Sequence, residues 1–112
     1  MEPSKLKILS QAMQAYTWRS QAVTGNLANL DTPGYQRVGV SFEETLQNVR
    51  RGLQATRQPE DVSPRMQVEE APPVLEDELM ELADTQMRTQ LATRALREHF
   101  DLMQTGITGR TA

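Results

Sequence analysis

His99 is the single histidine of this 112-residue chain, so any acid-base chemistry near neutral pH would have to start there. Its neighbours Arg97, Glu98 and Asp101 place it on a charged helical turn, which predicts a solvated surface residue rather than a general base. Carboxylates gather at Glu69, Glu70, Glu76, Asp77 and Glu78, residue types that serve general acid catalysis or hold hard cations. The start of a helix explains them without either role, because its dipole favours negative charge. No metal-ligand set, phosphate-cradling glycine loop or HExxH pattern occurs, so the sequence predicts no enzyme, no metal and no cofactor. Cysteine is absent, which excludes disulfides and thiolate sites and leaves the redox compartment open.

The remaining polar chemistry is that of amides at a helix end. Asn26 and Asn29 stand three residues apart and share a helical face, where each side chain can donate and accept beside open backbone groups. Pro33 stops the helix and turns Thr32 away from helical dihedrals. Pro33-Gly34 then fits the two central positions of a type II turn, and Tyr35 is the first anchor after it.

The elements that must position this corner follow from periodicity. Ser4 is a plausible N-cap, and Leu6, Leu9, Met13, Tyr16, Val23, Leu27 and Leu30 recur at spacings of three and four, interrupted at Ser20. They predict an N-terminal coiled-coil helix over residues 4–30 whose stripe needs a partner. A flatter face holds Ala15, Trp18, Ala22 and Asn29, where small residues admit another backbone and Trp18 covers either its own helix or a neighbouring subunit. Residues 31–73 form a long connection punctuated by Pro59, Pro64, Pro72 and Pro73. Within it, Ser41 and Glu44 have capping-box spacing ahead of a short helix ending near Gly52, and residues 54–73 look irregular. Residues 74–108 predict a second long helix, acidic at its start and with Arg88, Arg94 and Arg97 further along. Its apolar line drifts from Leu75, Leu79 and Leu82 through Met87 and Leu91 to Leu96, Phe100, Met103 and Ile107, which points to contacts shared among several helices.

The chain is one unit with a thin core: 38% of its residues are hydrophobic and 4% aromatic. Lys5, Lys7, Arg19 and Arg37 outweigh the acids of the first 40 residues, and the rest of the chain carries the acidic balance. A pI near 5.1 and the lack of a basic stripe argue against nucleic-acid binding. No stretch has the roughly 20 apolar residues of a membrane span, and Met1–Ser10 lacks the apolar run of a secretory signal. Composition alone therefore points to the cytoplasm. Met13, Met66, Met80, Met87 and Met103 read as core or subunit packing in preference to an adaptable binding groove.

Residues 26–35 resemble the N-terminal signature of the bacterial flagellar rod and hook family, roughly Asn-x-Ala-Asn-x-x-Thr-x-Gly-Tyr. Asn26, Ala28, Asn29, Thr32, Gly34 and Tyr35 match it. Val40 to Leu46, Glu78 to Ala83, Phe100 to Met103 and Ile107 to Arg110 are similar to further segments of a proximal rod member, so the likeness covers about two-thirds of the chain. Thr85 and Thr89 stand where that family has an Asn and a Tyr, and Pro72-Pro73 replaces its Gly-Asn.

The resemblance implies a mainly α-helical subunit whose two terminal helices form an antiparallel coiled coil. It implies helical polymerisation into the rod, a shaft that crosses the periplasm and carries motor torque, after type III export without a cleaved signal peptide. The implied partners are further copies, other rod proteins and the basal-body adaptor at the ring and export gate. On this reading Leu9, Met13, Tyr16, Leu96, Phe100 and Met103 hold the coiled coil, and Ala15, Trp18 and Ala22 meet neighbours. The assembly motif is Asn26, Ala28, Asn29, Thr32, Pro33, Gly34 and Tyr35. The alternative is a soluble helical adaptor or export chaperone that binds a partner helix.

Overall fold

The computed structural model describes residues 3–42 and 64–108. It is mainly α-helical, with two long helices packed antiparallel and a small strand pair at one end. Helix α1 spans Pro3–Ala28 and α2 spans Leu75–Thr108, roughly 39 and 51 Å at 1.5 Å per residue. A proline is preadapted to the first helical position, and α1 begins there, so Ser4 lies inside the helix rather than capping it. Helix α2 opens with Glu76, Asp77 and Glu78 in its first turn, as the macrodipole favours.

The described parts of the connection contain a strand pair. Strand β1 (Val38–Ser41) pairs antiparallel with β2 (Arg65–Val68), Val38 opposite Val68 and Val40 opposite Met66. Arg37 N–H donates to Ala71 O and Glu69 N–H to Arg37 O, so backbone bonding continues past the ladder with one residue set against residues 69–71. Residues 65–68 are thus a strand, a correction to the expected irregular stretch. Ser41 closes β1, and the short helix expected after it lies outside the described residues.

The helix pair is held differently from the expected leucine seam. The most enclosed line of α2 is Glu78, Thr85, Ala92 and His99, a seven-residue repeat with no large apolar member. Its counterparts on α1 are Ala12, Ala15, Tyr16, Arg19, Ala22, Val23 and Asn26, which repeat by seven as well. Four alanines let the backbones approach. Tyr16 and Phe42 meet edge to face at 6.3 Å within a core of Ala12, Ala15 and Ala92, with Leu9 and Met13 packed on its margin.

Several packing expectations change as a result. Ala15 and Ala22 are buried between the chain's own helices, so they do not face neighbours. Phe100 is 56% exposed and Met103 is exposed too, so neither closes the helix pair, whereas Leu96 is half-buried and Trp18 likewise. His99, expected in solvent, is 8% exposed with its ring 5.6 Å from that of Phe100. The charged residues around it lie on adjacent faces of α2, and it is the seven-residue repeat that turns His99 inward.

Candidate functional site: a polar corner joining helices and strands

Gly25 to Tyr35 form the corner. Asn29 N–H donates to Gly25 O and Asn26 O, and its side-chain Nδ2 also reaches Gly25 O at 2.8 Å, so Asn29 ties off the helix end as its spacing predicts. Thr32 Oγ1 donates to Asn29 Oδ1 at 3.0 Å. Tyr35 N–H closes a turn onto Thr32 O at 3.2 Å, with Pro33 and Gly34 as its central residues and Gly34 at φ 77°. That is the type II geometry expected of Pro-Gly. Pro33, Gly34 and Ala28 are exposed, and nothing lies within 4 Å of where a Gly34 Cβ would stand.

Asn26 does something the helix-end reading missed. It is fully enclosed, and its amide pairs with the peptide group of Val38: Val38 N–H donates to Oδ1 and Nδ2 donates to Val38 O, both at 2.8 Å. The remaining amide hydrogen goes to Glu78 Oε2 at 3.1 Å, and Tyr35 Oη donates to Oδ1 at 3.4 Å. Both donors and the acceptor are in use. Only a primary amide offers that combination on so short a stem.

Arg19, one heptad earlier, sends Nη2 to Val40 O at 3.3 Å. Antiparallel pairing leaves alternate backbone groups of β1 pointing away from β2. Asn26 and Arg19 cover those groups from α1, so side chains of a helix stand in for a third strand.

Arg37, just ahead of β1, completes the site. Its Nε donates to Glu78 Oε1 and its Nη2 to Glu81 Oε2, both at 2.8 Å, and Nη1 pairs with Glu69. Arg19 Nε lies 3.7 Å from Glu81 Oε1. The Arg37 guanidinium is pushed above its usual range, chiefly by the hydrogen bond to Glu78, with partial burial opposing and Glu69 adding to it.

Glu78 is 0% exposed. Sequence reasoning assigned it to the acidic start of a helix, where it does lie, but not its second role: Glu76 and Asp77 are exposed, while Glu78 is the carboxylate on which α1, the segment leading into β1, and α2 converge. A signal was present in Glu78 and Glu81 sharing one helical face with Thr85. The two threonines that depart from the family pattern bond back to their own helix, Thr85 Oγ1 to Glu81 O and Thr89 Oγ1 to Thr85 O, so they add no hydrogen bond across the pair.

Chemically, the corner is a staple. Asn26, Asn29, Thr32 and Tyr35 are brought together, while Pro33 and Gly34 set the turn that returns the chain to α1. The convergent carboxylates bind guanidinium groups, and among the described residues no group of three or more His, Asp or Glu side chains is arranged to hold a metal ion. No described helix is long and apolar enough to cross a membrane. Comparison of the chain with models of known protein families and with curated proteins gives no match.

Proposed function

We propose that this chain is a structural subunit of the proximal rod of the bacterial flagellum, similar to the proximal rod protein FlgB, and that it works by polymerising rather than by catalysis. The observation that carries this reading is the Asn26 to Tyr35 signature acting as one hydrogen-bonded corner. Asn26 bonds the helix to the strand pair, and Asn29, Thr32 and Tyr35 fix the turn beside it, which is the use an assembling building block has for a rigid corner. The apolar side chains left exposed along α2 support association. In this role many parallel contacts between copies would resist torsion in the periplasmic shaft.

The test is complementation of a strain lacking the native proximal rod subunit, with this chain epitope-labelled. Swimming is expected to return, and the label is expected in isolated basal bodies. Label confined to the cytoplasm, with no motility, would defeat the proposal. The exposed faces of α2 also suit the second reading, a soluble adaptor or export chaperone that captures a partner helix. A rod subunit should sediment as a monomer at low concentration and lengthen into polymer as concentration rises, whereas an adaptor should be a closed helical dimer that grows no further.

A further inference from the structure

Helix α2 has four sides. One is the enclosed line Glu78, Thr85, Ala92 and His99. At 3.6 residues per turn, a residue one position after a member of that line stands about 100° to one side of it, and a residue one position before stands about 100° to the other. Leu79 and Phe100 follow line members, and Leu75 and Ile107 share their side through spacings of four and seven. Leu91 precedes Ala92, with Met87 and Met80 beneath it at four and eleven, and Leu102 eleven beyond. All eight are exposed, Met80 at 72% and Ile107 at 82%. The fourth side, between the two apolar flanks, is polar: Gln90, Arg94 and Asp101 are exposed there.

The flanks differ in charge as well as in sequence. Asp77, Asp84 and Glu98 border the Met80 to Leu102 flank, where Arg88 pairs with Asp84 and leaves an acidic balance, whereas along the Leu75 to Ile107 flank Arg97 offsets Glu76. A twofold pairing of like flanks would bury one, set its carboxylates against each other and leave the other bare. Contact between unlike flanks buries both, brings Arg97 toward the acidic side and leaves each added copy with one flank open.

We propose that α2 is a two-sided connector, on which the Met80–Met87–Leu91–Leu102 flank of one copy packs against the Leu75–Leu79–Phe100–Ile107 flank of the next copy. This rests on the reading of the chain as a polymerising subunit and names the surfaces involved. Such head-to-tail contact generates a ring or filament rather than a closed pair.

The chain has no cysteine, so single cysteines report contacts without background. The purified full chain would be made as Met87→Cys, Leu91→Cys, Leu79→Cys and Phe100→Cys, and oxidised at concentrations where sedimentation shows polymer. Mixtures that combine one variant from each flank are expected to give disulfide-linked dimer in at least severalfold excess over any variant alone. Equal cross-linking by Leu91→Cys alone or Phe100→Cys alone would overturn the proposal in favour of a twofold contact. Polymer without mixed cross-links, or a chain that stays monomeric at every concentration, would overturn it too.

Leu91→Glu, at a position already in solvent, supplies a second readout. It keeps one flank intact, so a small fraction of it is expected to cap wild-type polymers and shorten them, with an unchanged circular dichroism spectrum. No shortening would count against the proposal. Mixed cross-links in a protein that never enters basal bodies would defeat the rod reading while leaving the connector standing, and the reverse result would do the opposite.

Discussion

Arg37 and Glu78, 41 positions apart in the chain, meet through a 2.8 Å bond from Nε to Oε1, with the carboxylate fully enclosed. A buried ion pair of this kind adds little net stability over an apolar pair of the same shape, but removing one partner leaves an uncompensated charge. The pair therefore dictates which arrangement of strands and helices is tolerated. Two arginines, Arg19 and Arg37, face three carboxylates, Glu69, Glu78 and Glu81, and the amide of Asn26 supplies the remaining donor to Glu78.

Asn26→Asp is expected to destabilise the chain by about 2–3 kcal/mol, because it removes the donor to Val38 O and sets a second carboxylate against Glu78. Urea unfolding at neutral pH measures this. A change below about 0.5 kcal/mol would show that the amide pairing with Val38 is dispensable.

Arg37→Gln is expected to cost roughly 3 kcal/mol, by leaving Glu78 buried without its cation. The pH dependence follows from the direction of the shift. A group whose proton is held more tightly in the folded state contributes fully below its unfolded pKa and loses that contribution only as pH rises through the still higher folded value. The difference between wild type and variant should hence stay flat from about pH 7 to about pH 10. A difference that shrinks across that interval would contradict the assignment.

Gly34→Val should be strained through its backbone alone, since a Cβ there meets nothing within 4 Å and φ is 77°. About 1–2 kcal/mol is expected, against a few tenths for Gly34→Asn, which accepts the left-handed region. Helix content by circular dichroism should be unchanged in both, and motility in the complemented strain should fall for the valine variant. Equal stability of the two variants would argue that the turn relaxes to another form.

Phe42→Ala should cost about 3–5 kcal/mol, because Phe42 is 1% exposed and wedges the end of β1 against Tyr16. Thermal unfolding tests it, and loss of β1 protection in amide hydrogen exchange ahead of the helix pair would locate the damage. Uniform loss along the chain would mean that the strand pair and the helices open together.

What could be read in advance divides along physical lines. The two helices and the Pro-Gly turn are local, set by periodicity and by the dihedral limits of two residue types, and they form as expected, although α1 ends at Ala28, two residues short of its expected bound and five before the proline expected to stop it. On α1 the expected stripe holds in part, with Tyr16 and Val23 buried and Leu9 and Met13 packed on the core, whereas the packed face of α2 was misjudged, because Glu78, Thr85, Ala92 and His99 are enclosed while most of its leucines and methionines stay outside. A rule that sends large apolar residues inward finds the wrong seam when part of the apolar surface is not covered within one chain. The role of Asn26 was also hidden, since it depends on Val38 and Glu78, 12 and 52 positions away. Strand β2 does alternate, Arg65-Met66-Gln67-Val68, but four residues exposed at every position, close behind Pro64, are too short a run to distinguish from a loop.

The separation of 52 between Asn26 and Glu78 has a kinetic side. Each helix can nucleate from near neighbours, but the last amide hydrogen of Asn26 finds its acceptor only after the chain has closed a loop of that length. Contacts with such high contact order form late and lose the most entropy in forming. A chain halted before residue 78 would lack the buried carboxylate that Arg37 and Asn26 share, so a completed corner certifies that the chain has been made at least as far as the first turn of α2.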